Sequence, residues 1–451
     1  MTTTSKETIA LVLIHGIGEQ RPMATLRGFV KDIFERPGQS KPDRLTELFE
    51  VRRLNIEVDA SLRIDCHELY WAHHIDTSTW LPIVKWLRRL IATPGAELRN
   101  MGRHLDERLY TRTRDIALVM LVLLALVVVL AAIWVEKWNL PASLVALGVG
   151  AGGLVWAYFE RQMLAVVGDA ARYLDNAPAN IGVRQAIRTE CMRFLEAMNG
   201  SPEYSRIIVI GHSLGSVIAY DALRLLWAKR TEHAAMHDTD ANRSLLDWLH
   251  GGRKPKHEPA SSPQHALFER LLPPDGTPQP RWKISDLITV GSPLTHAPLL
   301  FAGSVQDFDE MKAQREFPTC PPQLDHKSDL CGWLEGGRFH LHHAAAFAVV
   351  RWTNLYFPTD PIGGPLQAVF GTGIEDVGLP DAPHGSWLDH VRYWKTGTAP
   401  GSAAFKKVVR QLIFEETERQ DDEGGQAETV QLMEEIVIVH STTSMPGPGT
   451  R

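Results

Sequence analysis

Cysteine is scarce in this chain, with only Cys66, Cys191, Cys320 and Cys331 among 451 residues. So few thiols do not form a disulfide framework, and they point to a reducing compartment. An excess of positive charge is also missing: 47 Lys and Arg stand against 53 Asp and Glu, a formal net charge of -6. That balance excludes a general nucleic-acid binder. No secretory signal is expected, because the apolar run in MTTTSKETIALVLIHG is too short and no small-residue cleavage site follows it. No repeat of fixed period is visible. Cys320, His326 and Cys331, with His340, His342 and His343 of HLHH, match no compact zinc spacing, so neither a metal nor another cofactor is expected. With 44% apolar and 22% charged residues the composition is globular, and the length suits one large domain with insertions or two domains.

Long apolar runs, by contrast, are present. IALVMLVLLALVVVLAAIWV, residues 116–135, carries no charge, and about 20 such residues span a bilayer core. ASLVALGVGAGGLVWAYF, residues 142–159, follows after the short polar turn EKWNLP. Trp134, Trp138, Trp156 and Tyr158 sit near the ends of the two runs, where aromatics favour the interface. The pattern predicts a two-span transmembrane hairpin over 115–160. Arg103, Arg108, Arg112 and Arg114 precede it and Arg161 follows, whereas the turn holds only Lys137. The positive-inside bias therefore places both flanks and both termini in the cytoplasm. Gly148, Gly150 and Gly153 match G-x-G-x-x-G, but they lie inside an apolar span without a preceding strand, and Gly148 with Gly152 reads as helix-packing G-x-x-x-G. Residues 80–91 place Trp80, Ile83, Val84, Leu87, Leu90 and Ile91 at helical spacing, interrupted by Lys85, Arg88 and Arg89. Such a segment lies on an anionic leaflet or packs as an ordinary amphipathic helix.

Outside the spans, strands and helices alternate. Strands are expected at 8–14, within FEVRRLNIEV and LRIDCHELYWA, and at 206–211, 286–291 and 349–357; helices at 21–34, within MLAVVGDAARYL and VRQAIRTECMRFLEAM, and at 216–229. This alternation implies a doubly wound, mostly parallel α/β sheet. The organisation reads as a sheet domain in pieces 1–114, 161–230 and 282–415, with the hairpin at 115–160, an insertion or lid at 231–281 and an acidic, loose tail at 416–451.

The most informative stretch is VIGHSLGSVIAY, residues 209–220. A buried strand breaks at Gly211, turns through Ser213 and Gly215, and continues as a helix. Strand, G-H-S-L-G, helix is the pattern of a nucleophile elbow, in which a serine hydroxyl stands off the sheet at the positive end of a helix. The backbone N–H of Leu214 then faces a developing oxyanion. A second motif, LVLIHGIGEQ, ends an early strand in His15, Gly16, Ile17 and Gly18.

On these two motifs the chain resembles the α/β-hydrolase superfamily, in its lipase-like and GPI-inositol-deacylase-like branch. The resemblance covers segments near 8–16, 206–228, 284–295 and 349–394, and leaves out the spans, the 231–281 insertion and the tail. It implies an α/β-hydrolase fold with oxyanion donors at the N–H groups of Ile17 and Leu214, His15 orienting its loop rather than acting as base. The family order of nucleophile, acid and histidine implies an acid after a late strand. Asp360 in RWTNLYFPTDPIGGPL fills that place, with Asp376 and Asp381 as fallbacks. APHGSWLDHVRYW then offers His390 as base, with His384 as the alternative; Tyr393 and Trp394 stand ready to anchor the loop. Ser292 in TVGSPL lacks the second glycine of an elbow and reads as structural.

The expected activity is cleavage of carboxylic esters through an acyl-enzyme, on a substrate that the anchor suggests is a lipid or another acylated membrane molecule. The alternatives are an inactive membrane adaptor on a hydrolase scaffold, and acyl transfer or thioester cleavage by the same triad. The expected partners are the bilayer and the ester substrate, without nucleic acid.

Overall fold

The computed structural model describes residues 6–16, 21–46, 48, 50–74, 173–174, 178–230, 235–237, 263–271, 282–302, 304–325, 330–360, 362–380, 390, 393–394 and 400–414. Strand β1 (Glu7–Ile14) is buried at every position after its first. A strand without a polar face needs cover on both sides, and two helical layers supply it. Ala10, Val12 and Ile14 pack into one core with Ile187, Cys191 and Leu195 of α2 (Pro178–Gly200) and Val217, Ile218 and Leu223 of α3 (Leu214–Arg230). Ile9, Leu11 and Leu13 pack into the opposite core with Leu26, Phe29 and Ile33 of α1 (Ala24–Phe34) and Phe405, Val409 and Leu412 of α4 (Pro400–Phe414).

The remaining strands are β2 (Gln39–Pro42), β3 (Arg52–Glu57), β4 (Leu62–Leu69), β5 (Arg206–His212), β6 (Ala235–His237), β7 (Ile284–Val290), β8 (Gly332–Glu335), β9 (Arg338–Leu341), β10 (Arg351–Tyr356) and β11 (Glu375–Gly378). Eight of them form one sheet in the order β11-β10-β7-β5-β1-β4-β3-β2. From β4 to β11 every pairing is parallel, while β3 runs antiparallel to β4 and β2 antiparallel to β3. The protein is thus a mixed α/β structure around a large, mostly parallel sheet. The chain moves from β1 toward β4 on one side and from β5 toward β7 on the other. The adjacent ends of β1 and β5 therefore flank a point where the winding reverses, and such points open a crevice at the carboxyl ends of the strands.

The β2 edge strand was not expected from the sequence, since QSKP carries neither alternation nor β-branched residues. Its half-buried Lys41 and exposed Pro42 are the kind of residues that blunt a sheet edge. The described pieces of 231–281 are docked onto the body: β6 pairs with β9 in a small three-stranded sheet with β8, and Leu267, Phe268 and Leu271 are buried. No helix among the described residues is long and apolar enough to cross a membrane. The expected hairpin at 115–160, the amphipathic segment at 80–91 and the tail at 416–451 lie outside the described residues.

At the amino ends of the parallel strands, opposite the crevice, Asp286 of β7 bonds Arg206 of β5 and Arg351 of β10, the latter at 2.6 Å. All three are buried. Burial pushes the Asp286 carboxyl up, but the two guanidinium charges and the Ser285 hydroxyl outweigh it and hold the group well below the ordinary carboxylate range. Removing one member of a buried ion network leaves unpaired charge in the core. Asp286→Asn is expected to lower unfolding stability by about 3–5 kcal/mol, read by denaturant melts; a loss below about 1 kcal/mol would show that the triad carries no such weight.

Candidate active site

The central strand β5 reads RIIVIGH and is buried up to its last residue, which is half-exposed. It cannot simply run on into α3, because the chain must reverse within two residues. Two glycines permit this. A Cβ on Gly211 would lie 2.5 Å from Ser216 Cα, and one on Gly215 only 2.2 Å from the Ile14 carbonyl oxygen. Between them Ser213 takes a left-handed φ of 52°, a conformation costing an L-residue about 1–3 kcal/mol. The corner is fixed by Ser213 N–H donating to Val290 O at 2.9 Å and by Ser216 N–H donating to Ser213 O at 2.9 Å. The Ser216 and Ser292 hydroxyls lie 2.6 Å apart, and Ser292 also caps the turn after β7 by accepting from Leu294 N–H. Ser292 is thus a structural residue of the corner's support.

The Ser213 hydroxyl meets His390 Nε2 at 2.8 Å. His390 Nδ1 meets Asp360 Oδ2 at 2.9 Å and Oδ1 at 3.1 Å. The three residues come from the end of β5, the turn after β10 and a segment 30 residues beyond Asp360. All three are buried. Burial alone would raise the Asp360 carboxyl, but the bond and charge of His390, the Ile362 N–H and the Tyr393 hydroxyl outweigh it and hold it below the ordinary value. Asp360 therefore stays ionised and fixes which imidazole nitrogen carries the proton. That leaves Nε2 free to accept the serine proton.

Two residues support this line in ways the sequence did not reveal. Tyr393 donates its hydroxyl to Asp360 Oδ2 at 2.8 Å and accepts the Phe357 N–H at 3.2 Å, tying the acid's turn to the histidine's segment. His212, the residue before the serine, donates from Nε2 to the His390 carbonyl at 3.0 Å. Its ring also meets the edge of Trp394 at 4.8 Å. The His-Ser order in the motif and the Tyr-Trp pair were the available signals, but not their bonding partners.

Of the two expected oxyanion donors, Leu214 is among the described residues. Leu214 opens α3, so its N–H is among the four that a helix start leaves without an intrahelical acceptor. Gly16 packs so tightly on the corner that a Cβ there would sit 2.9 Å from Ser213 Cβ. The end of β1 thus abuts the serine. Ile17 lies outside the described residues, as do His384 and Asp381. His15 is no base for Ser213 in this geometry. Its Nδ1 donates to the Gly16 carbonyl at 2.8 Å, its ring stacks on Trp71, and burial lowers its pKa to about 4. Asp376 is spent on Asn354 Nδ2 and on the N–H groups of Leu366 and Gln367, so it shapes a turn instead of serving His390.

Among the described Cys and His residues near 320–343, no group of three brings its ligand atoms together. Burial pushes the Cys320 and Cys331 thiols up to about 12. Both ring nitrogens of His342 are taken, by Gln323 O and by Ala344 N–H. His340 stacks on Trp333, and His326 lies outside the described residues.

Beside the site, Glu68 of β4 accepts the N–H groups of Met23 and Leu26 at the start of α1. Its other oxygen, Oε1, is buried without a hydrogen-bond partner. Burial raises its pKa from 4.5 to about 7 against those two bonds. In that window the folded state holds a proton that the unfolded chain has released, so stability declines as pH rises from about 4.5 to about 7. The decline from this one group is about 3 kcal/mol. Glu68→Gln removes it: denaturant melts at the two ends of the window should show the variant gaining about that much on the parent. Parallel pH profiles would overturn the assignment.

No family model, curated protein or solved structure matches the chain, so the functional reading rests on the geometry of Ser213, His390 and Asp360 and on the sequence motifs that carry them.

Proposed function

We propose that the protein is a membrane-anchored serine hydrolase of the α/β-hydrolase type, cleaving carboxylic esters of lipids or other acylated membrane molecules. The observation that carries this reading is the unbroken line from Ser213 Oγ through His390 to Asp360, at 2.8 and 2.9 Å. Supporting it are the sharp corner after a central parallel strand, and β1 ending in His-Gly directly beside it. In this chemistry the Ser213 hydroxyl attacks the ester carbonyl while His390 Nε2 takes its proton. The carbonyl oxygen gains charge and is held by the N–H groups of Leu214 and Ile17. Collapse of the tetrahedral species passes the proton from His390 to the departing alkoxide, which leaves as an alcohol. Water then gives a proton to His390 as it attacks the acyl-enzyme, and collapse breaks the acyl–Oγ bond, with His390 returning the proton to Ser213 Oγ as the acid leaves. None of these steps calls for a metal or an organic cofactor.

The anchor is read from the uncharged run 116–135 and its partner 142–159. A hairpin inserted into a sheet domain is tolerable because its helices satisfy their own backbone hydrogen bonds in lipid. Both crossings then lie on the cytoplasmic side, and the catalytic domain faces acyl groups at the leaflet surface.

A fluorophosphonate probe is expected to label Ser213, and Ser213→Ala to abolish labelling and cost about 10³-fold or more in ester turnover with the fold retained. His390→Ala should cost a similar factor while His384→Ala spares activity. Labelling that persists without Ser213 sinks the reading. A labelled protein inert toward a panel of lipid esters but active on thioesters, or with an acyl acceptor other than water, favours the thioesterase or transferase alternative; an unlabelled, inert parent favours the adaptor.

Replacing residues 115–160 by a short polar linker is expected to release the protein from membranes after a high-salt wash, while hydrolysis of a small soluble ester continues. A variant that stays membrane-bound, or a cysteine in the 136–139 turn reached only from the cytoplasm, would overturn the hairpin.

A further inference from the structure

Strand β4 runs out of the sheet into Tyr70, Trp71 and a single 3₁₀ turn, Ala72–His74. That turn meets α2, where Glu190 faces both of its histidines. His73 Nε2 lies 3.4 Å from Glu190 Oε2, and His74 Nε2 hydrogen-bonds the same oxygen. The two imidazole rings are 4.0 Å apart between centroids. One ligand atom from each residue falls within 4.8 Å of the others, and no other group of His, Cys, Asp or Glu among the described residues does this. All three side chains are partly open to solvent, at 32%, 24% and 31%.

We infer that His73, His74 and Glu190 form a zinc-binding site, with the fourth position open to water. Two imidazoles and one carboxylate suit a borderline transition metal and disfavour magnesium or calcium, which prefer all-oxygen sets. The spacing agrees. Zinc–ligand bonds of about 2.0–2.2 Å in a tetrahedron put neighbouring ligand atoms about 3.3–3.5 Å apart, which is where His73 and Glu190 stand. His74 needs only to exchange its hydrogen bond to Glu190 for a bond to the metal. The His73 ring also hydrogen-bonds the Tyr70 backbone carbonyl, the second partner that orients metal-binding imidazoles. Three protein ligands plus an open position are found where zinc holds an exchangeable water.

The ion would pin the end of β4 to α2. Tyr70 stacks on His73 at 5.8 Å and lies 5.3 Å from His15, and Trp71 donates its indole N–H to the His15 carbonyl at 2.9 Å. The site therefore braces the strand end that abuts Ser213. It is a positioning site, without contact to the reacting atoms, and its existence does not depend on what Ser213 does.

The test uses the full chain in detergent micelles, stripped with a chelator and titrated with zinc chloride. The expected result is one tight equivalent of zinc per chain. Glu190→Gln keeps a hydrogen-bonding partner for His74 but loses the anionic ligand, and should weaken zinc binding by about 100-fold with an unchanged circular-dichroism spectrum. The parent alone supplies a second measurement. Cobalt(II) should give the intense visible absorption of four-coordinate nitrogen and oxygen ligands, and zinc should abolish it. Zinc should also raise the thermal midpoint of the parent and not that of the Glu190→Gln variant. A parent that takes up no stoichiometric zinc overturns the inference, as does a Glu190→Gln variant that binds as tightly as the parent or a six-coordinate cobalt spectrum.

Discussion

The contact on which the site depends is the one between the backbone at Gly215 and the carbonyl of Ile14, where a single added carbon would sit 2.2 Å from oxygen. It brings the start of α3 against the end of β1, though the two are separated by about two hundred residues of sequence. Once that approach is made, Ser213 has to turn through a left-handed φ to leave β5, and its hydroxyl rises from the sheet edge instead of pointing into either core. The same approach brings Gly16 onto the serine. A side chain at either glycine would separate β1 from α3, and with them Gly16 from Ser213. The strain at Ser213 is held by its surroundings, through the Val290 carbonyl at the end of β7 and the Ser216–Ser292 hydroxyl pair that joins α3 to the turn after β7.

The opposite end of the sheet is held by a different kind of contact. Arg206, Asp286 and Arg351 begin or nearly begin three adjacent parallel strands and tie them by buried charge. Between the two ends β5 is apolar on both faces, while β7 and β10 add the buried Thr289–Asn354 hydrogen bond, so register is set by side-chain contacts as well as by the backbone ladder. Buried charge thus stands at both ends of these strands: one carboxylate between two guanidiniums at the amino ends, and Asp360 with its histidine at the carboxyl ends. Asp360 can remain ionised in a buried place because the Ile362 N–H, the Tyr393 hydroxyl and His390 converge on it, and that convergence also fixes where the imidazole points.

The parts that were legible in the sequence are local. The G-H-S-L-G corner, the buried strands 8–14 and 206–211 and the Pro/Gly turn holding Asp360 each declare themselves within a dozen residues. What escaped is non-local. Tyr393 bonds an acid 33 residues earlier, and the His74–Glu190 pair spans 116 residues. No spacing rule reaches that far, because the approach is made by the sheet and not by the intervening chain. The β2 edge strand escaped for a different reason: QSKP has no strand propensity, and it is held by pairing with β3 alone. The docked pieces of 231–281 were hidden by their polar flanks, since three buried residues, Leu267, Phe268 and Leu271, decide their attachment.

The rings at the end of β4 give a second means of placing the end of β1. His15 is neutral and spends its Nδ1 proton on the next carbonyl, so it cannot hold the loop by charge. It is held instead by stacking on Trp71, by the indole N–H on its own carbonyl, and by the neighbouring Tyr70 ring, which continues to His73. Aromatic contacts of this kind contribute about 0.5–1.5 kcal/mol each beyond their burial, and they act over a surface rather than along one bond. A shift of the 3₁₀ turn at Ala72–His74 is therefore passed to Gly16 through packed rings, whereas a shift on the β10 side reaches His390 through the hydrogen bonds of Tyr393 and Asp360. Ser213 sits between the two, and its geometry is set from the β4 side by packing and from the β10 side by polar bonds.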